Sequence, residues 1–216
     1  MRMKREIMFS SKDTDRMDFA AHGNRVTAGD PPSPCVRNPG PPAPKAIVSG
    51  GRPERIVTFF GAVDSDSVRP AIESLLSFAN EGDDPVVLHI SSPGGCVSSG
   101  LSLIDTMRHI QAPVFVVASA TVASMGAIIL ACGEPGYRYA LPHCRIMLHE
   151  TSGRAAGRLQ EVQSATRFHR ELEREVEDIL LETTSLSRPR LRRLLRQERF
   201  LSSREALEIG LIDHIL

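Results

Sequence analysis

Short, continuous apolar runs alternate with helix-periodic segments from Arg55 onward, and this constrains the fold more than any other feature. VVLHI (86–90) and VFVVASA (114–120) are each opened by a proline, Pro85 and Pro113. Runs without a polar alternate suit strands buried on both faces of a parallel sheet. IVTFFGAV (56–63) reads as a further strand. Val68, Ala71, Ile72, Leu75, Leu76 and Ala79 give a helical stripe over Ser67–Asn80. Leu101, Ile104, Met107 and Ile110 give a second, and GAIILACG (126–133) reads as a short buried helix stopped by Gly133. Strand and helix alternating at this pace predict βαβ units and an α/β fold with a mostly parallel sheet.

Two more strands are expected at YRYAL (137–141) and RIMLH (145–149). A long helix follows Gly157, with Leu159, Val162, Ala165, His169, Leu172, Val176 and Ile179 on one face. At 1.5 Å per residue it is a rod of roughly 37 Å. Its other positions are mostly charged or polar, so the stripe is expected to bury against a partner subunit. Pro189 sits in the first turn of a following helix. Ser202 to Glu205 is a capping box for a last helix, which Gly210 ends before the terminal strand LIDHIL. Residues 1–52 are proline-rich and lack hydrophobic periodicity, as in DPPSPCVRNPGPPAPK (30–45). They are expected to be a disordered tail, leaving 53–216 as the folded domain.

The formal net charge is zero, which gives no reason to expect nucleic acid or an anionic membrane as partner. Arg188, Arg190, Arg192, Arg193 and Arg196 cluster as a solvated helix face or a subunit contact. The four cysteines form no C-x-x-C pair, and no Cys/His group has zinc-ligand spacing, so neither metal nor cofactor is expected. Three of the cysteines lie in apolar surroundings, which suits reduced thiols in the cytoplasm. No run of about 18 apolar residues would span a membrane, and no apolar segment follows the basic Met1–Arg5 to make a secretory signal.

In a parallel α/β sheet, functional groups collect at the carboxyl ends of strands. Ser91-Ser92-Pro93-Gly94-Gly95 follows VVLHI. Its glycines permit a tight turn with accessible N–H groups, suited to an oxyanion, to a bound peptide backbone, or to an ordinary strand-to-helix turn. Ala123-Ser124-Met125-Gly126 follows VFVVASA. Ser124 is there either an N-cap or a nucleophile whose neighbour Met125 offers its N–H to a developing oxyanion. The G-x-S-x-G pattern of a nucleophile elbow is absent. A nucleophilic serine needs a base. Of the seven histidines, His149 at the end of RIMLH is best placed. His22 lies in the tail and His169 on the long stripe, while His89, His109, His143 and His214 give no signal. The orienting carboxylate is left open among Glu150, Asp178, Glu198 and Asp213.

Read together, FFGAV, ISSPGG, LSLIDTMRHI, ATVASMGAIILACG, YRYALPHCRIMLHE and RFLSSREALEIGLIDHIL resemble the proteolytic subunit of the Clp protease, peptidase family S14, in order and in spacing from Arg55 to Leu216. The resemblance implies a crotonase-like spiral of ββα units with a projecting handle helix, matched here by 158–182. It implies Ser124 as nucleophile, His149 as general base, the N–H groups of Gly95 and Met125 as oxyanion hole, and Thr151–Gly157 as cleft lining. It also implies two stacked seven-membered rings joined through their handles, peptides or unfolded proteins as substrates, and a Clp-type AAA+ unfoldase that uses ATP. Several positions depart from the family pattern. Glu198 stands where the family has the triad aspartate, one methylene longer. Gln197 replaces a basic residue that couples ring contacts to the triad. The N-terminal gating loop has no match. The rim pocket for the unfoldase has Val87, His89, His109 and Ser119 beside Tyr139 and Leu141.

The function expected is therefore a Clp serine endopeptidase of the ATP-dependent type, with a Ser124–His149–Glu198 triad. Three alternatives stand beside it: a non-catalytic ring-building subunit, a phage-type maturation protease without an ATPase, and a crotonase-type enzyme acting on an acyl-thioester.

Overall fold

The computed structural model describes residues 55–216; the expected tail over 1–52, with His22 and Cys35, lies outside the described residues. Strand β1 (Ile56–Phe60) alternates exposed and buried residues and points Val57 and Phe59 inward. It ends three residues earlier than expected, and Val63 instead bridges Gly95. Helix α1 (Ser65–Glu81) starts two residues earlier than its apolar stripe, because Asp64 caps it by accepting from the N–H groups of Asp66 and Ser67. Val68, Ala71 and Leu75 are buried there, whereas Leu76 is exposed.

Strand β2 (Val86–Ser92), helix α2 (Val97–His109), strand β3 (Val114–Ala123) and helix α3 (Met125–Ala131) follow. In α2 the buried stripe runs through Leu103, Ile104 and Met107. Leu101 and the cap residue Ile110 are half-buried and pack against the same core, so the expected face is the one that packs inward. Strands β4 (Arg138–Ala140) and β5 (Arg145–Met147) are three residues each, shorter than their apolar runs. Helix α4 spans Leu159–Thr183 and α5 Arg188–Leu195. Strand β6 (Phe200–Ser202) was not expected; helix α6 (Ser203–Glu208) and strand β7 (His214–Ile215) complete the chain.

The sheet runs β1-β2-β3-β4-β7 with parallel pairing throughout. With six helices among the described residues, this is the expected α/β fold with a parallel sheet. Strand β3 serves two neighbours on one edge. Its first part pairs with β4 through Val116, Val117 and Ala118, and its last three residues pair with β5. Between them Ala120 has φ 51°, and the β2–β3 register shifts between Ile90 and Ser92. A bulge of this kind bends the strand and re-aims the residues beyond it. Strand β5 also pairs antiparallel with β6.

Leu75, Leu88, Ile90, Leu103, Ile129 and Ile146 are almost completely buried and centre the core. Arg138 stitches the C-terminus to this body. Its guanidinium meets Asp213 through Nε (2.8 Å) and an NH2 contact (2.7 Å), and also donates to the carbonyl of Thr183 (2.6 Å). Helix α4 buries only Val176, Glu177 and Leu180. No residue from 159 to 175 is buried, and Leu159 and Phe168 are exposed. The first two-thirds of the helix therefore finds no core among the described residues, in keeping with its one-sided stripe.

Candidate active site

Ser124 is the single residue between β3 and α3. Its backbone has φ 53° and ψ −127°, a region that costs a non-glycine residue about 1–3 kcal/mol. Three bonds hold it there: its N–H donates to the Met147 carbonyl (2.8 Å), and its own carbonyl accepts from the N–H groups of Ala127 (2.9 Å) and Ile128 (3.3 Å). Its side chain makes no capping bond. The N-cap alternative thus loses its defining contact.

The β3–β5 pairing places His149 opposite this serine. Ala123 pairs with Met147, and His149 lies two residues further on. Nε2 of His149 is 2.8 Å from Oγ of Ser124. On the ring's other side, Nδ1 is 3.9 Å from Oε1 of Glu198. Glu198 comes from the turn before β6, where its φ is 46°. The other carboxylates are occupied elsewhere: Glu150 contacts Arg196 at 3.3 Å, Asp178 contacts Arg188 at 2.7 Å, and Asp213 holds Arg138. Among the described residues, Glu198 is the carboxylate within 4.0 Å of His149.

The turn after β2 packs directly beneath Ser124. Gly94 has φ 92°, and a Cβ there would stand 2.5 Å from the Ser124 Cβ and 2.7 Å from the Ala123 carbonyl oxygen. Gly95 has φ 152°, and a Cβ there would run into the Val63 carbonyl oxygen. Val63 clamps the turn by donating to the Gly94 carbonyl (2.9 Å) and accepting from the Cys96 N–H (2.7 Å). Between these bonds the Gly95 N–H has no acceptor among the described residues, nor has the Met125 N–H at the start of α3. Two free N–H groups flanking a serine can receive negative charge on a carbonyl oxygen. Gly95 lies in the SSPGG turn, and beside it Gly94, through its missing side chain, lets the two strand ends meet.

Among the described residues, no other histidine is bonded to Ser124. His89 bonds Ser119 at 2.9 Å and stands edge-on to Phe60. His214 contacts the Gly136 carbonyl at 3.1 Å. His169 is exposed on α4, beside Gly153. Cys96 is exposed, contrary to the apolar setting expected for it, and Cys144 is buried. Burial raises the thiol pKa of Cys144, and that of Cys132, to about 11, so neither is poised as a nucleophile. No group of three or more His, Cys, Asp or Glu residues is arranged to hold a metal ion among the described residues.

A serine at a strained strand-to-helix turn, a bonded histidine and two free N–H groups form an arrangement capable of acyl transfer. The family model for Clp protease matches residues 45–216. That match covers most of the chain and every residue of the arrangement, and on it the chain belongs to the Clp protease family.

Proposed function

We propose that this chain is a Clp-type serine endopeptidase subunit that cuts peptides or unfolded proteins. The observation that carries the reading is the 2.8 Å contact between Ser124 Oγ and His149 Nε2. Ser124 Oγ attacks the scissile carbonyl carbon while His149 Nε2 takes its proton. The carbonyl oxygen becomes an oxyanion that accepts from the Gly95 and Met125 N–H groups. His149 then gives the proton to the leaving amine, and an acyl ester remains on Ser124. Water attacks that ester, loses its proton to His149, and Ser124 recovers it as the acid product leaves. Glu198 orients the Nδ1 side of the ring.

The exposed stripe of α4 supports assembly into two stacked rings joined through these helices. Phe115, Val117 and Tyr139 form a second, buried apolar cluster. Among the positions that match the family's rim pocket, Leu141 is exposed and Val87 and His89 are half-buried; docking of a Clp-type AAA+ unfoldase there would make the peptidase ATP-dependent. No described helix is long and apolar enough to cross a membrane, and a cytoplasmic site of action fits the free thiols of Cys96, Cys132 and Cys144. The 3.9 Å gap at Glu198 favours one second reading, a ring-building subunit without activity of its own.

Hydrolysis of fluorogenic peptides by the purified oligomer tests the proposal. Turnover that disappears in Ser124→Ala supports it. Turnover that persists in that variant overturns it, and an assembled but inactive parent favours the ring-building subunit.

A further inference from the structure

The ring of His149 borders a cleft of about 330 Å³ between α4, α5 and the loop after β5. Its charges mostly cancel in pairs. Glu177 is buried at the floor and accepts from Arg192 Nε (2.7 Å) and through a second Arg192 bond at 3.1 Å. These bonds hold its carboxyl below the usual range. Arg188 spans Glu177 (3.2 Å) and Asp178 (2.7 Å). At the mouth, Arg196 offsets Glu150. Glu173 also lines the cleft, and its negative charge favours the protonated Arg192 guanidinium.

Arg170, Arg174 and Glu173 remain on the α4 wall, so four arginines face three glutamates and the lining keeps an excess of positive charge. Arg170 and Arg174 are one helical turn apart, both line the cleft, and neither has a carboxylate within 4.0 Å among the described residues. Like charges at this spacing repel, so each gains from an anion placed between them. Val176 and Leu195 line the same cleft and offer an apolar surface below the guanidiniums. Aliphatic contact under a pair of cations matches a side chain with a methylene stem and a carboxylate tip.

We propose that this cleft receives an acidic substrate side chain, glutamate before aspartate, adjoining the scissile bond, with Arg170 and Arg174 as the residues that set this preference. The proposal rests on the peptidase reading above and names its substrate class.

The test uses the purified, assembled protein and short quenched peptides with Glu, Lys or Leu at each residue flanking the scissile bond. The best Glu peptide should exceed the matching Lys peptide in kcat/KM by about tenfold, the scale of two partly exposed ion pairs. It should also exceed the matching Leu peptide. The Glu-to-Lys ratio should fall severalfold between about 0.05 M and 0.5 M NaCl, because salt screens exposed guanidiniums. In the double variant Arg170→Glu, Arg174→Glu the ratio should invert. A ratio within one preparation is not mimicked by partial loss of assembly. A parent enzyme that prefers Lys or Leu at both flanking positions overturns the proposal, whether or not the variant folds. Parallel fluorophosphonate labelling separates the two failures. A labelled protein with that preference overturns this proposal alone; a protein that neither labels nor cleaves any peptide overturns the peptidase reading and this proposal with it.

Discussion

Nδ1 of His149 and Oε1 of Glu198 stand 3.9 Å apart, beyond hydrogen-bond distance, although Ser124 already lies 2.8 Å from the ring's other nitrogen. The Glu198 side chain is 71% exposed, so water screens its field at the ring. Its contribution should be smaller than that of a buried triad acid, whose loss costs about 10⁴-fold in turnover. Glu198→Ala should lower kcat/KM for a peptide by about 10- to 100-fold, read in a steady-state assay. An unchanged rate would remove Glu198 from the triad.

Gly94 should tolerate no side chain. Its φ of 92° and the 2.5 Å approach to the Ser124 Cβ combine backbone strain with a clash. Gly94→Ala should cost about 1–3 kcal/mol of stability and suppress peptide hydrolysis. Gly136 has a similar φ of 88° but nothing within 4 Å of an added Cβ. Gly136→Ala should therefore lower Tm modestly and leave hydrolysis intact, and comparing the two variants separates strain from close approach.

The Arg138–Asp213 pair should contribute to the acid limb of stability. Burial pushes the Asp213 carboxyl up, but the bonds and charge of Arg138 pull it further down, and the balance lies below its ordinary value of 3.8. A carboxyl depressed in the folded state stabilises above its unfolded pKa and loses that contribution as pH falls through its folded one. Asp213→Asn should cost about 3–5 kcal/mol near neutral pH, because Arg138 is left buried without a counter-charge. Below pH 3.8 the parent should lose Tm more steeply than this variant, as thermal melts across that range would show.

Phe168 and Leu159 lie exposed on the part of α4 that has no core of its own. If handles join two rings, a charge on this stripe should separate them. Phe168→Glu should sediment as a species of about half the parent's mass, with single-chain far-UV circular dichroism unchanged. Identical sedimentation of the two proteins would place the ring contact elsewhere.

The elements with unmixed patterns were legible in the sequence. The apolar runs VVLHI and VFVVASA are β2 and β3, and the stripe from Leu159 to Ile179 is α4. Boundaries failed where a non-periodic interaction decides them, as with the Asp64 cap of α1 or the clamp of Val63 on the glycine turn. Strand β6 is only three residues long and exists through its pairing with β5, a non-local fact that local propensity does not carry. At the site, position in the chain singled out Ser124 and His149, but their 2.8 Å approach depends on a bend at Ala120 that no residue type announces. Glu198 was one of four open carboxylates until the family resemblance ranked it, because the turn that delivers it has no periodic signature. Arg170 and Arg174 belong to no sequence motif, since only the fold brings them into one cleft with His149.

The most direct measurement is peptide mapping by mass spectrometry after the purified protein has reacted with a fluorophosphonate. One adduct should appear on the peptide that contains Ser124, and none on the Ser124→Ala protein. An unmodified Ser124 in the folded protein, or an adduct that survives the substitution, would contradict its assignment as the nucleophile.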